Sequence, residues 1–427
     1  MLIGHFTEQP WQDDKSGLMG AGNSTLEISN RLYDPKVGSK LYNRYIDEKL
    51  AAEEHGFEAL MLNEHHSTPF CIQGVTNVEA LILARQTKKV KIVINGNILP
   101  LWDDPLWLAE ILAMGDMISE GRIVSGFVRG GGTESISHNA NPTVNRERYN
   151  EAHDMIIKTW TVPGPFRWEG KHYQYRYVNP WAMPYQQPHP MVMVPGVVSP
   201  ETAKWTAQHH YPYVLLATLL EPTKKMFDLY FQTAEESGYK ASTQNIGYLF
   251  KVHLEDTEEK AFEVGRKYIA GVANPFIAGN AAEGRARPWI QSPPGLSSRA
   301  AVASRVQFFG AGAASGADSR AATIARPYED QVKTMTIITG TPASVKPKIK
   351  HVLEYLRPGT IFLWDGDGSM SHEDQMRSMR LMGQELIPWA KELGKELDLK
   401  SPFDVNDGTG YDQAAWKRHQ AEAKKPA

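Results

Sequence analysis

Two kinds of hydrophobic pattern alternate along this chain. Short apolar runs of strand length recur between longer segments whose apolar residues have helical spacing, such as the segment from Leu41 to Ala52. Strands are predicted at residues 2–6, 57–63, 91–96, 122–127, 191–194, 214–217, 246–254 and 360–364. Such an order is typical of parallel strands joined by crossover helices. The pattern therefore predicts an α/β fold, a single (β/α)8 TIM barrel with insertions at its C-terminal mouth.

Two long segments interrupt the regular order. Residues 163–190 are rich in aromatic residues and proline, and residues 274–328 are rich in glycine, alanine and serine. Long connections inside compact domains are usually functional. We therefore expect one barrel domain over residues 1–395 with both segments as insertions, the second being a lid that orders over a ligand. Residues 396–427 mix charges with scattered apolar residues and are predicted to form a C-terminal tail.

Composition narrows the classes of partner. A formal net charge of −3 over 427 residues gives no electrostatic reason to expect nucleic acid or an anionic membrane. The single cysteine, Cys71, excludes an intrachain disulfide and favours a reducing compartment, so a cytoplasmic location is expected. The first residues lack the pattern of a signal peptide, and no apolar run reaches the length of a membrane span. A small molecule is the expected partner.

Three polar residues follow the second predicted strand. In a β/α barrel the reactive residues stand at the C-terminal ends of the strands, and Glu64, His65 and His66 occupy that place here. Because neighbouring side chains point in different directions, at most one of them faces the barrel centre. We select His65 as the candidate catalytic residue. The alternative is a set of polar rim residues that satisfy backbone groups.

A glycine-rich turn follows the fourth predicted strand. Gly130 would let the backbone approach a ring or a phosphate closely, and Arg129 would pair with an anion. The alternative is a turn that simply needs a positive φ. The turn is not a dinucleotide-binding loop, because Ser135 stands where the third glycine of that motif would be.

A turn of small residues that includes Gly196 and Val198 follows the fifth predicted strand. Ser199 is expected to cap a helix that begins at Pro200, and the free N–H groups of such a helix end bind phosphate. An ordinary helix cap without a ligand is the alternative.

The histidines do not have the spacing of a catalytic metal site. His65 and His66 are adjacent, as are His209 and His210. Metal-dependent hydrolases built on barrels instead use two histidines with one residue between them, His-x-His. The sequence contains neither His-Glu-x-x-His nor a cysteine cluster. We therefore expect no bound metal ion and no metal-dependent hydrolysis.

The order of several short motifs resembles the bacterial-luciferase-like flavin-dependent monooxygenase family over residues 1–395. The motifs that carry the resemblance are Gly56-Phe57-Glu58, Glu64-His65-His66, Ile98-Leu99-Pro100, Asp104-Pro105, Ala109-Glu110, Gly121-Arg122, Arg129-Gly130, Arg148-Tyr149-Asn150-Glu151, Val198-Ser199-Pro200-Glu201, Thr339-Gly340-Thr341-Pro342 and Ile387-Pro388. Each motif is loose by itself, and their common order is specific.

This resemblance implies an FMN site at the C-terminal mouth of the barrel. His65 would lie near the flavin ring and support catalysis, and Ser199 would lie at the phosphate, where the helix-end argument also places an anion. The cofactor-binding residues that the resemblance implies are Glu64, His66, Asn97, Arg129, Gly130, Tyr149, Gly196, Val198 and Ser199.

The resemblance also implies a two-component monooxygenase. A separate NAD(P)H:flavin reductase would deliver reduced FMN, and its reaction with O2 through a flavin hydroperoxide would oxygenate a small organic substrate. The lid at 274–328 would exclude water from the pocket. A deazaflavin-dependent dehydrogenase on the same barrel and a non-catalytic flavin-binding protein are the alternatives. A homodimer is expected, because many barrels of this family pair through their helices.

Overall fold

The computed structural model describes residues 1–13, 29–130, 132–197, 199–216, 219–268 and 327–405. The predicted lid at 274–328 lies outside the described residues except for its last two positions. The predicted tail is described only as far as residue 405.

Eight parallel strands close into a barrel, as predicted. In the order in which they pair, the strands are β1 (Leu2–Phe6), β2 (Ala59–Leu62), β3 (Lys91–Ile98), β4 (Ile123–Val128), β7 (Met191–Gly196), β8 (Tyr213–Leu216), β9 (Ile246–Leu254) and β11 (Thr360–Trp364). Pairing of β1 with β11, which puts Leu2 opposite Thr360, closes the ring. All eight strands were predicted within a few residues of their observed ends.

Among the described residues, three further strands lie outside the ring, and the sequence did not predict them. β5 (Phe166–Glu169) and β6 (Gln174–Val178) form an antiparallel hairpin within the insertion at 163–190, so this insertion is an ordered element and not a structureless loop. β10 (Ile337–Gly340) pairs in parallel with the C-terminal half of β9, beyond the point where β8 ends.

Helices separate the strands and cover the barrel. The described helices are α1 (Pro35–Glu54), α2 (Thr76–Gln86), α3 (Pro105–Ser119), α4 (Gly132–Ser137), α5 (Asn145–Thr161), α6 (Pro200–Gln208), α7 (Leu220–Glu236), α8 (Glu258–Gly265), α9 (Tyr328–Lys333), α10 (Pro342–Leu356), α11 (His372–Leu381), α12 (Ile387–Glu396) and α13 (Pro402–Val405). The Asp104 carboxylate accepts from the N–H groups of Leu106 and Trp107, so α3 begins at Pro105 as the sequence indicated.

The apolar residues form two layers. Side chains such as Met61, Val93 and Phe362 fill the barrel interior, and a larger layer that includes Leu60 and Ile92 packs between the strands and the helices. Because neighbouring residues of a strand face opposite sides, every buried strand supplies both layers. This arrangement explains why the strands are continuous apolar runs that are readable from the sequence. Within the described part of the chain, no helix is both long enough and apolar enough to cross a membrane.

Candidate active site

The polar residues at the C-terminal mouth of the barrel form two groups of contacts. Glu8 follows β1, His65 follows β2, and Glu134 lies on α4 after β4; His65 contacts both carboxylates. Arg129 follows β4 and reaches Glu201, which lies on α6 after β7. The fold thus brings together residues that are more than 190 positions apart in the sequence.

His65 lies between two buried carboxylates. Its Nδ1 is 2.8 Å from Glu134 Oε1, and its Nε2 is 3.4 Å from Glu8 Oε2. Glu8 and Glu134 are buried, whereas about a third of the His65 side chain is exposed. His65 is therefore the member of this group, here called the His65 cluster, that a ligand in the mouth can reach.

The two carboxylates determine the charge of His65. Burial by itself lowers the pKa of the imidazole, but the hydrogen bonds and the negative charges of Glu134 and Glu8 outweigh burial and raise the pKa to about 10. His65 is consequently an imidazolium at neutral pH, with a proton on each ring nitrogen. The contact between Nε2 and Glu8 is the longer and therefore the weaker of the two, so the Nε2 proton is the one more easily shared with a third group.

Glu64 and His66 contact each other and the surrounding backbone. His66 Nε2 is 3.3 Å from Glu64 Oε1, and Glu64 Oε2 accepts from the N–H of Thr76 at the start of α2. The His66 N–H donates to Glu134 Oε2 at 3.2 Å. The structure thus places both predicted cofactor residues beside the His65 cluster, with their polar groups already engaged in holding the β2–α2 loop.

Two asparagines lie at the end of β3, on either side of an irregularity in its pairing with β4. Asn97 is buried, and its Oδ1 accepts from Asn77 at 2.9 Å. Asn95 is on the inner face, two residues after the interior residue Val93. Its side-chain amide is buried, and both its polar atoms lack a partner among the described residues. Both polar groups of this buried amide are therefore available to a ligand that carries a donor and an acceptor.

Two guanidinium groups lie at the N-terminus of α6. Arg146 donates to Thr202 Oγ1 at 3.0 Å, and both Arg146 and Arg129 contact the Glu201 carboxylate, at 3.3 and 3.7 Å. Ser199 caps the helix by accepting from the N–H of Thr202. We call these residues the arginine cluster. Two cations at a helix N-terminus bind a phosphate well, and an incoming phosphate would compete with Glu201 for them.

Three predicted cofactor residues remain, of which the structure describes Tyr149 and Gly196. Tyr149 is buried under Arg146, 5.3 Å from its guanidinium, and its hydroxyl donates to the carbonyl of Phe127. Gly196 ends β7, where a Cβ would lie 2.4 Å from the hydroxyl oxygen of Tyr213. Val198 is outside the described residues. Cofactor contact by each of these three residues stays a prediction.

Gly130 connects the two clusters in a backbone conformation that favours glycine. Its φ is +76°, and a Cβ would lie 2.6 Å from Ile98 Cγ2. Gly238, after α7, has a φ of +86° with nothing within 4 Å of a Cβ. The two glycines therefore differ mainly in steric surroundings.

We expect Gly130→Ala to destabilise the protein more than Gly238→Ala does. The control variant incurs only the backbone cost of about 1–2 kcal/mol, and Gly130→Ala adds an overpacking cost of about 1–3 kcal/mol. Thermal unfolding of both variants measures the difference. Equal losses in melting temperature would show that the turn accommodates a side chain.

The sequence analysis missed four polar residues of the mouth. Glu8 and Glu134 hold His65, Asn95 points into the barrel, and Lys251 is buried on β9, with its ammonium 4.4 Å from the Trp364 ring centre. For three of them a signal was available in the sequence, because Glu8 follows a strand and Asn95 and Lys251 lie in the C-terminal halves of strands. Glu134 had no such signal, since it lies on a short helix that the glycine-rich composition concealed.

A family model described as luciferase-like monooxygenase matches residues 32–357. The alkanal monooxygenase alpha chain of Photorhabdus luminescens is 26% identical over 53% of this chain and 62% of the relative. The oxygenase component of the flavin-dependent trigonelline monooxygenase of Acinetobacter baylyi is 26% identical over 54% of this chain and 64% of that relative. The matches thus span a little under two thirds of these curated relatives.

Solved structures show the same fold at lower identity. The oxygenating constituent of 3,6-diketocamphane monooxygenase from Pseudomonas putida, a type II Baeyer–Villiger monooxygenase in complex with FMN, superposes with a TM-score of 0.66 at 18% identity, over 91% of this chain and 98% of that one. An F420-dependent secondary alcohol dehydrogenase superposes with a TM-score of 0.59 at 14% identity, over 90% and 97% of the two chains.

Proposed function

Because the chain belongs to the luciferase-like monooxygenase family, we propose that it is an FMN-dependent monooxygenase that uses reduced FMN and O2 to oxygenate a small organic substrate. The observation that carries this proposal is the His65 cluster: an imidazolium, held by two buried carboxylates, at the mouth of the barrel. The proposal extends the family's chemistry to this chain through its own residues.

The residues of the mouth fit FMN. The arginine cluster would hold the phosphate, because its two guanidiniums and the N-terminus of α6 converge there. The buried Asn95 amide offers one donor and one acceptor, which suits the polar edge of an isoalloxazine ring. His65 is the charged donor on the β2 side of the same mouth. Bound in reduced form, FMN would supply the electrons that activate O2.

His65 has two roles in this proposal. Its Nδ1 proton stays with Glu134 at 2.8 Å and fixes the orientation of the ring. Its Nε2 lies 3.4 Å from Glu8 Oε2, and the proton on Nε2 is available to an oxygen atom that gains negative charge during the reaction. Glu8 and Glu134 act through His65 by keeping it protonated.

We further propose that a separate NAD(P)H:flavin reductase supplies the reduced FMN. The support is the Acinetobacter baylyi relative, whose name is that of an oxygenase component. The glycine-rich turn after β4 gives no support for a nicotinamide site, because it lacks the dinucleotide-binding spacing.

The test is oxygen consumption by the purified protein with FMN, NADH and a generic flavin reductase, over a panel of aldehydes, ketones and aromatic compounds. Substrate-dependent oxygen uptake, with one oxygen atom found in the product by 18O2 labelling, is the expected result. A parallel arm supplies reduced F420 without O2, because an F420-dependent dehydrogenase has the same fold. Turnover in that arm alone would replace the proposal by hydride transfer, and FMN binding without turnover in either arm would favour a flavin-binding protein.

An apolar surface on α2 and α3 supports a homodimer as the functional form. The two helices pack against each other. Their exposed apolar side chains are Val75 at the N-cap of α2, Val78, Trp107, Met114, Met117 and Ile118. A two-fold dimer needs one self-complementary surface of this kind. We propose that a second copy of the chain covers it.

Charge placed on this surface is expected to separate the subunits. The double variant Met114→Lys, Met117→Lys puts like charges opposite each other across a two-fold interface, which costs several kcal/mol. Light scattering during size-exclusion chromatography should give a dimer for the wild type and about 47.8 kDa for the variant. Tyr355→Lys, at an exposed position on α10, is the control and should stay dimeric. A monomeric wild type contradicts the proposal.

A further inference from the structure

A group of potential metal ligands lies away from the mouth, where α5 packs against the end of α6. His153 and Asp154 are on α5, and His209 is the C-cap residue of α6. One ligand atom from each of the three lies within 4.8 Å of the other two. His153 is buried, His209 is partly buried, and most of the Asp154 side chain is exposed, so the group opens to solvent on one side.

We propose that His153, Asp154 and His209 bind a zinc ion that links α5 to α6 and takes no part in the chemistry at the mouth. A set of two imidazoles and one carboxylate binds zinc in preference to magnesium or calcium. The open side next to Asp154 leaves room for water as the fourth ligand.

The hydrogen bonds of His209 prepare it to bind a metal. Its Nδ1 is 2.8 Å from the carbonyl oxygen of Trp205, which can only accept, so Nδ1 carries the proton. The lone pair is then on Nε2, which is the usual state of a metal-bound histidine whose other nitrogen donates to a backbone carbonyl. Stacking on Trp205, with ring centres 4.0 Å apart, fixes the plane of the imidazole.

His153 has a matching arrangement. Its Nε2 is 2.9 Å from the hydroxyl of Tyr211. When Nε2–H donates a hydrogen bond to this hydroxyl oxygen, Nδ1 keeps its lone pair for the metal. Nδ1 is 2.9 Å from Asp154 Oδ1, close to the roughly 3.3 Å between two ligand atoms of a tetrahedral zinc site with bonds of 2.0–2.1 Å. The planes of the two imidazoles are nearly perpendicular, so the rings can approach one ion from different sides.

The position of the group gives the ion a mechanical role. Arg146, near the start of α5, and Ser199, at the start of α6, belong to the arginine cluster. The proposed metal site lies about 12 Å further along α6 from Glu201. A zinc ion there would tie the middle of α5 to the C-terminal end of α6, the two helices whose first turns contribute to the arginine cluster, and so stabilise their packing.

The experiment titrates the full-length, chelator-treated protein with Zn2+ and, separately, with Co2+. We expect one high-affinity Zn2+ per chain by calorimetry, a rise in melting temperature, and visible Co2+ absorption bands typical of nitrogen and oxygen ligation. Asp154→Asn, at an exposed position, and His209→Gln should each weaken Zn2+ binding by at least about tenfold and abolish the Co2+ bands.

His210→Asn is the matched control. His210 neighbours His209 but has a positive φ, which asparagine tolerates, and it stacks on Tyr239 away from the three ligands. This variant should bind both ions as the wild type does. Absence of high-affinity binding in the wild type overturns the proposal. Binding that survives both Asp154→Asn and His209→Gln overturns it equally, because the ion then occupies other histidines.

Discussion

Replacing His65 by glutamine is expected to slow substrate oxygenation by about 100-fold or more, with less than about a threefold change in the dissociation constant of reduced FMN. Glutamine still donates a hydrogen bond but carries no positive charge and no transferable proton. We therefore expect a large decrease in the rate of turnover and little change in the binding of reduced FMN. Single-turnover kinetics and an anaerobic FMN titration separate the two quantities.

His372→Gln is the control for this variant. His372 also pairs with a buried carboxylate, Glu48, at 2.8 Å, and this hydrogen bond likewise raises its pKa, but it lies at the start of α11 outside the His65 cluster. A rate close to that of the wild type is expected for it. Full activity of His65→Gln would remove His65 from the mechanism and leave it as a rim residue.

The charge of His65 has its own signature in the pH dependence. Its pKa of about 10 lies above the ordinary value of 6.5, so the imidazolium persists through neutral pH and is lost only as the pH rises through about 10. Glu134→Gln removes one of the two negative charges that raise this pKa, so the pKa of His65 must fall. The alkaline decline in activity should then begin at lower pH than in the wild type. An unchanged decline would show that a different group titrates.

Loss of the arginine cluster is expected to produce the second large effect. Arg129→Ala and Arg146→Ala should each weaken FMN binding by about 10- to 100-fold, since a hydrogen bond to a charged group contributes about 1.5–3 kcal/mol. Riboflavin lacks the phosphate, and its affinity should be nearly unchanged. Titrations with FMN and riboflavin thus distinguish a phosphate contact from a general loss of packing.

Arg167→Ala is the matched control for these variants. Arg167 pairs with Glu169 on the exposed hairpin formed by β5 and β6, so its removal should leave the affinity for both flavins unchanged. An equal weakening of FMN and riboflavin by Arg146→Ala would mean that Arg146 supports Tyr149 and α6, and that the phosphate binds elsewhere.

The barrel could be predicted from the sequence because strands that are buried on both faces have continuous apolar runs in their sequences. The same reasoning found His65, since it follows such a run, and Ser199, since Pro200 marks a helix start. It did not find the partners of His65. Glu134 is 69 residues away on a short helix, and only the closed ring of strands brings it to within 2.8 Å of His65.

The hairpin formed by β5 and β6 was concealed for a different reason. All but one of its strand residues are partly buried or exposed, so it lacks the apolar run of a barrel strand, and prolines flank it on both sides. The arginine cluster was only half visible for a related reason. Arg129 stood out beside its glycines, whereas the contact of Arg146 with Glu201 joins two helices that are 55 positions apart in the sequence.

The seam between β1 and β11 has a consequence for biosynthesis. Leu2 pairs with Thr360, so β1 leaves the ribosome long before the strand with which it pairs across the seam. Until then β1 and β9 each present an open edge that can recruit another chain, because β11 lies between them. High contact order of this kind slows folding and lengthens the time for which nascent chains are prone to aggregation. Premature termination before β11 would leave both edges open permanently.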